Sequence, residues 1–192
     1  MDSNVQHIPK ELIYEMVDGT PVYYRGYEAF LNGTKELDEI MGSSVRQSNI
    51  ITQLVILLGM QLDKKYRILT NEIGLQFSPN SWRAADIAIV EKQKLKQQSD
   101  PNKYLEVASE VVIEIDIKAS LDQIKDVYGY FHKKTDQLLE FGVQKVIWIF
   151  TDSQKVMMAE RGKSWQTFDW KNSFEIMQGV SVNVQSILDE FP

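Results

Sequence analysis

The sequence predicts an α/β fold: a mixed central sheet flanked by helices, in the order helix, strand, strand, strand, helix, strand, with extra strands at both ends. Three observations carry that expectation. Within 44–62, Ile50, Ile51, Leu54, Val55, Leu58 and Leu62 recur at three-to-four spacing, the stripe of a helix packed on something. Within 110–118, Val111, Ile113, Ile115 and Ile117 alternate with Val112, Glu114, Asp116 and Lys118, the period of a strand with one apolar and one charged face. The run KVIWIF at 145–150 is apolar throughout and suits a strand covered on both faces.

The remaining elements follow in order. YEMVDGTPVYY at 14–24 has two β-prone runs around Asp18-Gly19, the signal of a hairpin. The mixed stretch 27–42, broken at Asn32-Gly33, reads as one or two short helices. Ser44 caps the long helix after it. Residues 67–77 and 84–90 are strand-like on either side of SPNSWR and predict a second hairpin. EKQKLKQQSDPNKY at 91–104 is polar and lysine-rich, a solvated loop or short helix. A helix is expected over 121–141, broken at Gly129 and closed by Gly142 in a left-handed cap. Beyond 150, KVMMA, the turn Arg161-Gly162, WQTFDW and FEIM predict outer strands closed by a short helix at 184–190. With no repeat or linker, the 192 residues form one expected domain, 1–192, with its core at about 44–151.

Composition narrows the chemistry. At 43% hydrophobic the chain can fill a core, yet no stretch approaches the roughly twenty apolar residues of a membrane span, and MDSNVQHIPK lacks the layout of a signal peptide. A cytoplasmic protein without membrane contact is expected. The absence of cysteine excludes disulfides, thiolate metal sites and cysteine nucleophiles. Two histidines, His7 and His132, cannot build a histidine-rich metal centre. No GxGxxG, P-loop or GxSxG pattern occurs. A formal net charge of −6 argues against coating nucleic acid by bulk attraction, so phosphate chemistry here would need metal ions to reverse the local field.

Within those limits the charged strand stands out. Glu114, Asp116 and Lys118 at alternate positions of this strand project from the same face, and flanking isoleucines make that face a costly place for charge. A solvent-facing edge strand with an internal Glu–Lys pair is the plain alternative. Asp86 in AADIAIV is a single acid inside an apolar strand; alone it reads as an aspartate bonded to backbone. Taken together, an acid on one strand and acid-x-acid-x-lysine on the next supply oxygen ligands for Mg²⁺ or Mn²⁺ and a cation beside the attacking water, the set that phosphodiester cleavage requires.

These residues resemble the PD-(D/E)XK nuclease superfamily and, within it, the bacterial restriction-endonuclease family called the Uma-two family. The similarity lies in the element order from Ser44 to Phe150 and in YEMVDGTPVYY, ILTNEIGLQF followed by AADIAIV, VVIEIDIKAS, and KTDQLLEFGVQKVIWIF. It implies a restriction-endonuclease-like core, metal-ligand roles for Asp86 and Glu114, a catalytic role for Lys118 and a Mg²⁺- or Mn²⁺-dependent endonuclease acting on nucleic acid, with DNA the expected substrate. Two departures stand in the sequence: Ala85 replaces the motif's proline, and Lys118 lies four residues after Glu114, so the literal D-x-K is Asp116-Ile117-Lys118. Either Glu114 or Asp116 is therefore the second ligand.

Glu72, mid-strand in TNEIGLQF, is a further candidate ligand, and Gln47, Lys134 and Gln137 are candidates for orienting water or phosphate. Restriction-type enzymes often dimerise, with Trp165, Phe168 and Trp170 candidates for such a face, although alternating aromatics are more often core. The competing expectation is an inactive nuclease-fold module that binds nucleic acid or a protein partner.

Overall fold

The computed structural model describes residues 8–121 and 127–190. An N-terminal hairpin, β1 (Ile13–Val17) and β2 (Thr20–Tyr23), turns through Asp18 and Gly19, both in the left-handed conformation that such a tight turn demands. Two short helices follow, α1 (Tyr27–Leu31) and α2 (Leu37–Met41). Helix α3 (Val45–Gln61) starts at Ser44, whose hydroxyl accepts from the Gln47 amide, and buries Ile50, Leu54 and Leu58 completely. The long hairpin β3 (Tyr66–Ser78) and β4 (Ser81–Glu91), the one-turn helix α4 (Lys92–Leu95), and β5 (Val111–Ile115) come next. Helix α5 (Val127–Phe141) crosses to β6 (Lys145–Phe150). Strands β7 (Lys155–Glu160), β8 (Gln166–Asp169), β9 (Phe174–Met177) and β10 (Val180–Val182) and helix α6 (Val184–Glu190) complete the described chain.

Eight strands form one sheet, ordered β2-β1-β4-β5-β6-β7-β8 with β3 on β4; β9 and β10 pair separately. Among the described strands β5 and β6 pair in parallel, and helix α5 makes the crossover that parallel neighbours require. The sheet is thus mixed, flanked by helices, with the expected element order.

Strand alternation divides the interior. Ile87, Ile89, Ile113, Ile115, Ile147 and Ile149 pack with α3 and α6 on one face. Val112, Val146 and Trp148 meet Tyr130, Phe131 and Leu138 of α5 on the other. Two local expectations change and one holds. Gly129 lies inside α5 and does not break it, because one glycine costs a helix only about 1 kcal/mol. Gly142 does close the helix, with a φ of 116° and the Val143 amide donating back to the Leu138 carbonyl. Trp170 is buried in the core with Phe174 and Ile176, so it is unavailable as a surface contact. His7 lies outside the described residues.

Candidate active site

Antiparallel β4 and β5 pair Ile87 with Ile113 and Ala88 with Val112, a register that sets Asp86 opposite Glu114 on the α5 face. Both carboxylates are buried, at 3% and 1% exposure. Asp86 Oδ2 accepts from the Ile115 amide at 2.8 Å, which ties the acid to the end of the neighbouring strand. Burial pushes Glu114 up to about 8; Lys134 opposes that shift, and the Asp86 and Glu15 charges add to it. Near neutral pH Glu114 therefore carries a proton.

Strand β5 ends at Ile115, and this overturns the expectation that Glu114, Asp116 and Lys118 share a strand face. Asp116 takes a left-handed φ of 60°, and its two carboxylate oxygens accept from the Thr151 amide and hydroxyl, each at 2.7 Å. It pins the chain leaving β5 to the end of β6. Released from strand geometry, Lys118 places Nζ 2.9 Å from Asp86 Oδ1 and 2.8 Å from Glu72 Oε1. Glu72 reaches that point through a bulge: Thr70 pairs with Ile87 and Ile73 with Ala85, leaving Asn71 and Glu72, both left-handed, opposite Asp86. Its other oxygen accepts from the Tyr24 hydroxyl at 2.7 Å, and burial together with that bond to Glu72 raises the Tyr24 pKa.

A second charged group lies under α5. Lys134 was expected to offer an accessible amine to phosphate; instead it is 1% exposed, with Nζ 2.7 Å from Glu15 Oε1 and 2.9 Å from Glu114 Oε1. The contact with Glu114 is close but makes no aligned hydrogen bond. Glu15, fully buried on β1, also accepts from Arg83 at 2.6 Å, the Tyr130 hydroxyl at 2.7 Å and the Ala84 amide at 3.2 Å. Burial pushes Glu15 up, yet Lys134 and Arg83 outweigh it and hold the acid below the usual carboxylate range. Arg83 in turn donates from Nε to Gln137 at 3.0 Å. The rings of Tyr14, Tyr130 and Trp148 lie within 6 Å of the Lys134 ammonium.

Outside these groups lies a cleft of about 920 Å³, walled in part by Arg25, Lys35, Gln47, Lys118, Ser120 and Thr151. Gln47 donates from Nε2 to the Ile115 carbonyl at 2.7 Å, so it holds the end of β5 while standing in the cleft wall. Asp116 also borders this space, whereas Asp86 and Glu114 are not among the described residues that line it.

The fold has a solved counterpart. A protein from Anabaena variabilis ATCC 29413, whose crystal structure is described as that of a "putative nuclease belonging to DUF820", superposes with a TM-score of 0.65 at 15% identity, covering 91% of this chain and 89% of the other. At that identity the likeness is one of fold. No family model and no curated protein matches the sequence.

The donors of the site suit Mg²⁺ or Mn²⁺ in kind, being carboxylate oxygens without thiolate or imidazole, and Mg²⁺ commonly binds one or two carboxylates and keeps several waters. Among the described residues, no three His, Asp or Glu side chains gather closely enough to hold an ion jointly. An ion here would rest on the Asp86–Glu114 pair. The sequence reading overlooked Glu15, Arg83 and Tyr130, although Glu15 shows the same signal as Asp86, one acid within an apolar strand.

Proposed function

We propose that the chain is a nuclease that hydrolyses phosphodiester bonds, with DNA its first expected substrate. What carries the reading is the pairing of Asp86 with Glu114 on adjacent strands, with the Lys118 ammonium on Asp86 and in the lining of the cleft. The description of the solved counterpart as a nuclease supports it. Asp86 and Glu114 would hold Mg²⁺ or Mn²⁺, which supplies charge to lower the pKa of a water and to polarise the phosphate. Lys118, at the cleft, would offset negative charge growing on the phosphoryl oxygens. Arg25 and Lys35 in the same wall would position the backbone of the substrate. Lys134, buried under α5, would compensate Glu15, lie against Glu114 and meet no substrate.

A second reading, a nuclease fold that binds nucleic acid or protein without cutting, draws on one observation. Glu15, Glu72 and Asp86 are matched by Arg83, Lys118 and Lys134, and with Glu114 protonated the group is charge-balanced without any ion. Incubation of plasmid, single-stranded DNA and RNA with Mg²⁺ or Mn²⁺ separates the two. Cutting that needs the ion and disappears in Asp86→Asn and Lys118→Ala supports the nuclease; cutting unchanged in both variants assigns the activity elsewhere.

A further inference from the structure

Asp86 and Glu114 are 3% and 1% exposed, and neither lines the cleft among the described residues; Lys118 does. An ion approaching from the cleft therefore meets Lys118 first. The Lys118 ammonium stands 2.9 Å from Asp86 and 2.8 Å from Glu72, a cation already shared by two carboxylates. The remaining oxygen of Asp86 accepts from the Ile115 amide and that of Glu72 from the Tyr24 hydroxyl, so each oxygen of both acids already has a partner. The arrangement is also built at a cost. Two successive non-glycine residues, Asn71 and Glu72, are left-handed, an unfavourable conformation for Glu72 above all, and the visible return is the placement of Glu72 against Lys118 and Tyr24.

On the nuclease reading above, we propose that Lys118 is the competitor of the metal ion: Glu72 parks its ammonium on Asp86, and a divalent ion reaches Asp86 only when Lys118 swings off into the cleft, where substrate phosphate lies. Loading of the ion and delivery of the lysine to phosphate are then one event. By linkage, whatever draws Lys118 from Asp86 tightens metal binding, and metal binding frees the lysine. Glu72 is a positioning residue in this scheme and is not a ligand.

Calorimetric titration with Mn²⁺ of wild type, Lys118→Met and Lys118→Gln, with Asp86→Asn as the measure of binding elsewhere and circular dichroism to check folding, tests the proposal. Removing the competitor should tighten binding at Asp86 by about tenfold or more, the scale of a partly buried ion pair. A second measurement uses wild type alone: acylation of lysines read by mass spectrometry, with exposed Lys133 as reference. Mn²⁺ should raise modification of Lys118 several-fold and leave Lys133 unchanged. Mn²⁺ binding to wild type without exposure of Lys118, or folded Lys118 variants that bind no more tightly, overturns the proposal while leaving metal-dependent cutting intact. Tighter binding in the variants with no cleavage of nucleic acid by any of these proteins upholds the competitor and overturns the nuclease. No Mn²⁺ binding by any folded protein overturns both.

Discussion

Glu15 and Glu72 each hold a lysine beside the Asp86–Glu114 pair, and they differ in what surrounds them. Glu15 has no exposed surface, takes four donors and faces two cations, all on elements locked together by the core. Glu72 sits on a bulge with its side chain 27% exposed and holds Lys118 at the edge of a cleft. The same ion-pair chemistry therefore does two jobs. Around Glu15 every charge is desolvated, so each member depends on the others to be tolerated at all. Around Glu72 water can replace a partner, and the contact can break and re-form at little cost. A site meant to open to substrate needs one region of each kind.

The largest effect expected from this contrast is on stability. Glu15→Gln leaves Arg83 and Lys134 without their shared anion in a region water does not reach and should cost about 3–5 kcal/mol, measured as a shift in the urea midpoint. Glu72→Gln should cost about 1 kcal/mol or less. Equal losses in the two variants would erase the distinction between a structural and a movable half.

A smaller, pH-dependent effect sharpens the same boundary. The folded-state pKa of Glu114, about 8, lies above its ordinary value of 4.5, so between those pH values the folded chain binds more protons than the unfolded one. The contribution of Glu114 to stability is therefore fully present below pH 4.5 and is lost as pH rises through about 8. Glu15, held below the usual range, works the other way: its contribution is present above the ordinary carboxylate pKa and is lost as pH falls. Wild type should thus melt progressively lower from pH 6 to 8, and Glu114→Gln should flatten that slope. An identical slope in the variant would mean that Glu114 is already ionised in the folded state.

Much of this was legible in the sequence, and the failures have physical causes. An acid among apolar residues of period two marks Asp86 and Glu114, because a strand alternates whatever its partners are. The same alternation continues through Asp116 and Lys118, yet Asp116 turns left-handed to bond Thr151, a contact 35 residues away that no local pattern records. Lys134 shows the opposite case. It falls between Tyr130 and Leu138 at four-residue spacing, on the buried stripe of α5, so the helix period places it inside. Reading lysine as a surface residue by type concealed that. Glu72 reaches Lys118 through a bulge, a feature that neither strand propensity nor periodicity encodes.

The smallest expected effect decides which acid accompanies Asp86. Glu114 faces Asp86 across paired strands, whereas both oxygens of Asp116 are committed to Thr151 at 2.7 Å. Asp116→Asn keeps one acceptor for Thr151, replaces the other oxygen by an amide and removes one charge, so it should cost about 1 kcal/mol, the worth of an ordinary hydrogen bond. That variant should keep the rise in melting temperature that Mn²⁺ gives wild type, since binding only to the folded state stabilises it in proportion to RT ln(1 + [L]/Kd) and the ligands are untouched. Glu114→Gln should lose most of that rise. If Asp116→Asn abolishes the response while Glu114→Gln retains it, Asp116 must leave Thr151 to bind the ion, and the second ligand is the acid at the cleft edge instead of the one beneath α5.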